Sequence, residues 1–214
     1  MAVINQGILG GFSGKVGTVI GGTWKGIAYM RSIPASVSQP NTPAQLEQRA
    51  KFGTVVKFLQ PLTAYLRIGF KNQAIKMSAF NAASSYHLAN AISGVYPNFV
   101  IDYSKAMVSR GNLPGALNPD IDATTPGQVD FTWESNLLDT NAKAEDKVMA
   151  VVYNALKGQV VTVVGGNTRA SGSQSIILPA SFAGDDVQCF IGFQSATESA
   201  VVSNSQFVGE IVVV

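Results

Sequence analysis

The chain has 214 residues, 46% of them apolar and 13% charged, with one cysteine and one histidine. That length can bury a hydrophobic core without covalent staples, whereas the lone Cys189 excludes an intrachain disulfide framework and the lone His87 excludes a multi-histidine metal centre within one chain. Residues 1–110 hold 11 Lys and Arg against 2 Asp and Glu, and residues 111–214 hold 4 against 11, so the small net charge of +2 conceals a basic front and an acidic rear.

Such asymmetry points to partners rather than to fold. Two suit it: the acidic half of another copy of the chain, or a polyanion such as nucleic acid. The low charged fraction agrees, because ordinary soluble domains carry about a quarter charged residues, and a surface poor in charge is better tolerated when neighbours cover it.

Met1 to Gly7 has no basic stretch and no long apolar run before Gly10-Gly11, so no secretory signal is expected and synthesis in the cytoplasm is. No window reaches the roughly 18 apolar residues of a membrane span. Residues 7–33 are rich in glycine and β-formers, and the runs on either side of Gly21-Gly22 predict a hairpin. A hairpin this rich in glycine is marginal alone and needs something to lie against. Ser32 to Pro43, with Pro34, Pro40 and Pro43, reads as an extended connector.

Thr42-Pro43-Ala44-Gln45 predicts a helix start, with Thr as cap, Pro in the first turn and Gln closing a capping box. This helix should run to about Leu59 with Leu46, Ala50, Gly53 and Val56 or Lys57 near one stripe, and Pro61 breaks it. A further helix is expected from Ala79 to Ser93, capped by Ser78 and stopped by Gly94. Val100, Ile101 and Tyr103 suggest a strand that Met107-Val108 continues, and Gly111 to Gly127 reads as a linker. Short β-type runs follow at Gln128–Trp133, Lys147–Asn154, Gln159–Val164, Gln174–Leu178, Val187–Gln194 and Ser205–Val214.

The fold class expected is therefore α+β: a basic region over residues 1–112 made of a Gly-rich β-hairpin plus helices, then an acidic antiparallel β-sandwich of immunoglobulin or fibronectin type over residues 113–214. The apolar end, with Val212, Val213 and Val214, reads as a last strand sealed into the sandwich or as one that completes a partner's sheet.

No chemistry emerges. The glycines near Lys15 lack a phosphate loop's spacing, since Leu9 and Val16 stand where a Gly and a Ser or Thr are needed. His87 falls on the apolar stripe of a helix, and the pairs Asp120 with Asp122, Glu145 with Asp146 and Asp185 with Asp186 fall in expected turns. Neither a catalytic residue, a cofactor, a metal nor a small-molecule substrate is inferred.

The stretch Gly10-Gly11-Phe12-Ser13-Gly14-Lys15-Val16-Gly17-Thr18-Val19-Ile20-Gly21, then Trp24-Lys25-Gly26-Ile27 and Arg31, resembles the N-terminal signature of an uncharacterised protein family found in Bacteroidota. Ser109-Arg110-Gly111-Asn112-Leu113-Pro114-Gly115 and Ser203-Asn204-Ser205 are similar to later parts of its pattern. The resemblance implies no activity and carries over no catalytic residue.

The sequence thus supports a non-enzymatic repeating subunit of a filament, surface or phage-like assembly, with head-to-tail contacts between copies. Its expected interface is Lys15, Trp24, Lys25, Tyr29 and Arg31 of the hairpin, with Val212, Val213 and Val214 at the end of the chain. The alternatives are a nucleic-acid binder using the basic half, and a ligand-binding or adhesion module using sandwich loops near Asn167 and Arg169.

Overall fold

The computed structural model describes residues 3–4, 10–36 and 42–214. Gly7 and Leu9, and Pro40 of the expected connector, lie outside the described residues. The chain divides into two compact units at Gln45/Leu46, within the first turn of a helix. The change of charge sign near residue 112 falls inside the larger unit.

The smaller unit is an antiparallel sheet of β1 (Val3–Ile4), β2 (Phe12–Val16), β3 (Val19–Trp24) and β4 (Ile27–Ser32) in sequential order. The turns lie at Gly17-Thr18 and Lys25-Gly26, not at Gly21-Gly22, which sits in the middle of β3. Lys25 and Gly26 have φ values of 46° and 83°, the paired positive angles of a type I′ turn. A Gly-Gly pair imitates a turn in sequence. Here it makes room for neighbours: a Cβ on Gly21 would meet the Phe12 carbonyl oxygen at 2.3 Å and its ring at 2.6 Å, and one on Gly22 would meet the Tyr29 ring at 3.0 Å.

The larger unit begins with α1 (Pro43–Leu59), α2 (Thr63–Gly69), a 3-10 turn at Lys71–Gln73 and α3 (Ala79–Asn90). On α1 the buried side chains are Val55, Phe58 and Leu59, while Gly53, expected on the apolar stripe, is exposed. The Ser78 hydroxyl accepts from the Asn81 amide at 3.1 Å, the expected cap of α3. Gly94 does not stop that helix. It belongs to β5 (Ile92–Val95), which pairs with β6 (Asn98–Ile101) in a two-stranded hairpin. Met107-Val108 does not extend this strand.

Seven strands follow: β7 (Leu117–Asp122), β8 (Gln128–Glu134), β9 (Lys147–Asn154), β10 (Gln159–Thr168), β11 (Ser173–Ile177), β12 (Asp186–Gln194) and β13 (Gln206–Val212). The expected linker contains β7, whose Asn118-Pro119 sits at a register shift against β8. The strands form two antiparallel sheets, β10-β9-β12-β13 and β11-β8-β7. The fold class is mixed α+β, as expected.

Two cores explain why β9 and β12 are apolar almost throughout, since a strand covered on both faces loses the polar alternation of a half-exposed one. Val148, Ala150 and Val152 of β9, with Cys189, Ile191 and Phe193 of β12, pack with Val129, Phe131 and Trp133 of β8 and Ile176 of β11. Met149, Val151 and Tyr153, with Phe190, point the other way and pack with Val55, Phe58, Leu62, Leu66 and Ala83 of the helical segment. The larger unit is therefore three layers, with the four-stranded sheet in the middle.

Candidate assembly surface

Antiparallel pairing places directly opposed residues on one face of a sheet. Lys15 pairs with Ile20 and Ile20 with Arg31, Gly22 pairs with Tyr29, and Trp24 pairs with Ile27. One face of the smaller unit thus gathers Lys15, Trp24, Tyr29 and Arg31, four of the residues singled out from sequence, and adds Ile20 and Ile27. Lys25 occupies the adjoining turn. Trp24 is 54% exposed and Tyr29 48%, values far from those of core aromatics.

The terminal valines belong to the other unit and divide by the strand period. Val213 is 1% exposed and packs in the core between the two sheets, while Val212 and Val214 are exposed. β13 is an outer strand of its sheet.

Arg169, expected in an accessible loop, is fully enclosed. Its Nε donates to Asp146 Oδ2 at 3.2 Å, Nη1 to Asn136 Oδ1 at 2.9 Å and Gly115 O at 3.0 Å, and Nη2 to Pro114 O at 2.9 Å. The guanidinium carbon lies 3.8 Å from the centre of the Phe193 ring. Burial pulls its proton affinity down and the Asp146 charge opposes that. A cation so fully engaged joins three loops and presents nothing to a ligand.

The other titratable candidates have structural surroundings. His87 is buried, its Nδ1 2.8 Å from Ala83 O, and desolvation lowers its pKa from the usual 6.5. Burial pushes the Cys189 thiol up to about 12, which leaves it uncharged and unreactive. Asp120 and Asp122 lie in β7 and Asp186 opens β12, so these are strand residues and not the turn residues expected. Among the described residues no group of three or more His, Cys, Asp or Glu side chains could hold a metal ion. A cleft of about 680 Å³ beside Tyr86, Asn90, Met107 and Phe207 has one cationic side chain, Lys105, already paired with Asp102 at 2.9 Å.

Two motif segments noted in the sequence meet. Ser109 Oγ donates to Ser203 O at 2.9 Å, Ser205 Oγ accepts from the Val108 amide at 2.8 Å, and Asn204 Oδ1 accepts from the Gly111 amide at 3.1 Å. A Cβ on Gly111 would strike the Val202 carbonyl oxygen. These residue types are explained by close backbone approach, and the serine bonds run to backbone groups.

Fold and surface together describe a mixed α+β protein with a small exposed sheet of basic and aromatic character. The chain belongs to a family of unknown function, DUF6266, whose pattern matches residues 11–209. No curated protein matches it. No helix among the described residues is long and apolar enough to cross a membrane.

Proposed function

We propose that this protein is a non-enzymatic assembly subunit that joins copies of itself head to tail, as a filament, surface or virion-like array would require. The observation that carries the reading is the alignment of Lys15, Arg31, Trp24 and Tyr29 on one exposed sheet face. Aromatics flanked by cations suit a protein interface, where Trp, Tyr and Arg are enriched. A small sheet with so much apolar area in water gains stability from being covered. The exposed Val212, which ends outer strand β13, and the exposed Val214 just beyond it support a lesser role for the chain end in the same contact.

Strands β7 to β13 of the larger unit we read as a sandwich of fibronectin or immunoglobulin type. Supporting this are the three-plus-four strand order and the core shared by β8, β11, β9 and β12.

Sedimentation velocity at low and high ionic strength tests assembly. The wild-type protein should form large species at low salt that shrink as salt rises, and a Trp24→Ser/Tyr29→Ser variant should not. A protein that stays monomeric at high concentration and low salt refutes the proposal. A second reading, nucleic-acid binding, is favoured by the eight bases against two acids in residues 46–112. It requires small species that enlarge only when an oligonucleotide is added.

A further inference from the structure

A head-to-tail contact needs an acceptor as well as a donor, and the outer face of the three-stranded sheet has the complementary chemistry. On β8 the side chains Val129, Phe131 and Trp133 turn into the core, so Gln128, Asp130, Thr132 and Glu134 turn outward. Register carries that face across the neighbouring strands. Leu117 pairs with Glu134, Asp120 with Thr132 and Asp122 with Asp130, and on the other side Ser173 and Ser175 pair with Thr132 and Asp130.

The face therefore carries four carboxylates, Asp120, Asp122, Asp130 and Glu134, and β7, β8 and β11 contain no Lys or Arg. Asp122 stands directly opposite Asp130, an arrangement that destabilises a sheet unless a cation lies near. Two large apolar side chains share the face: Ile177 is 80% exposed and Leu117 42%.

Resting on the assembly reading above, we infer that this acidic face of one copy receives the basic, aromatic face of the smaller unit of a second copy. The two faces are opposite in charge sign and similar in footprint. Each spans three strands of five to seven residues, about 20 Å long and about 10 Å across. Each also combines charges with exposed apolar side chains. Sheets that pack face to face lie about 10 Å apart, a gap that Lys and Arg side chains span. Donor and acceptor are different patches of one chain, so the contact is heterologous and repeats from copy to copy.

Charge reversal tests this. Lys15→Glu/Arg31→Glu inverts the donor and Asp122→Lys/Asp130→Lys the acceptor. Because Asp130 accepts hydrogen bonds from Gln128 and Asp122 from Thr124, a second acceptor variant, Asp120→Lys/Glu134→Lys, changes two exposed side chains and removes only the bond from the adjacent Ile121 amide to Asp120 Oδ1. Circular dichroism checks that each folds, and sedimentation velocity reads size. Wild type should assemble, and each reversed protein alone should be monomeric, its self-association weakened at least about tenfold. An equimolar mixture of donor-reversed and acceptor-reversed chains should assemble in alternation, intact contacts following charge-swapped ones along the array. A chain with both faces reversed should assemble again. If both acceptor variants assemble as wild type does, while the donor variant does not, the acceptor assignment is overturned and the assembly reading stands. Mixed variants that remain monomeric beside an assembling wild type overturn it in the same way. A monomeric wild type overturns the assembly reading itself.

Discussion

Replacing Arg169 by methionine should be among the most damaging single changes in the larger unit. The guanidinium is fully buried and makes four hydrogen bonds, to Asp146 Oδ2, Asn136 Oδ1, Gly115 O and Pro114 O. Methionine fills similar space over Phe193 but leaves the buried Asp146 carboxylate without its counter-charge. Removing one partner of a buried ion pair costs about 3–5 kcal/mol, a large share of the roughly 5–15 kcal/mol that holds a domain folded. With a urea slope of about 2–3 kcal/mol per M, the midpoint should fall by about 1–2.5 M. Trp133 is a natural reporter, because its Nε1 donates to Arg169 O at 2.8 Å, and a Trp24→Phe background leaves its fluorescence alone. The double variant Asp146→Leu/Arg169→Met should recover much of the loss, since an apolar pair can replace a buried ion pair. A loss under about 1 kcal/mol for the single change, or a double variant less stable than the single one, would refute the argument that charge compensation holds these loops.

Stability should fall as pH drops below 6.5. The folded chain holds His87 neutral with its pKa lowered from that value, so in acid the unfolded chain takes up a proton that the folded one resists. The slope should approach but not exceed about 1.4 kcal/mol per pH unit. Urea titrations of wild type and His87→Leu between pH 7 and 5 measure it, and identical slopes would count against it. Gly111→Ala should destabilise by about 1–3 kcal/mol, as overpacking does, because the new methyl meets the Val202 carbonyl; thermal melts give the value. Cys189 should resist a thiol reagent at pH 8 in the folded protein and react at once in denaturant, given a pKa pushed up to about 12.

The strands of the larger unit were legible where burial was strongest. Lys147–Asn154 reads from sequence with its observed bounds, because β9 is covered on both faces and its apolar run admits little else. β7 was hidden, since Asn118, Pro119 and Asp120 carry turn signals, and tertiary pairing with β8 overrides them. Gly21-Gly22 misleads for a different reason: only the Phe12 carbonyl and ring and the Tyr29 ring lying over them reveal that the missing side chains are space for neighbours. The donor residues of the small sheet were readable as basic and aromatic. Their common face needed the register, which depends on turns at Gly17 and Lys25. Arg169 could not be read as buried, because its counter-charge Asp146 is 23 residues away and its carbonyl partners are further still.

The middle sheet also sets the order of events at the ribosome. Within the larger unit the helices emerge first, yet the strands that shield Phe58, Leu62 and Leu66 begin at Lys147. A nascent chain of half length would hold a greasy helical layer with no cover. Completion of the fold must await β9 and β12, and such long-range closure is slow. A truncated product ending near residue 112 would therefore be a sticky fragment and not a usable half.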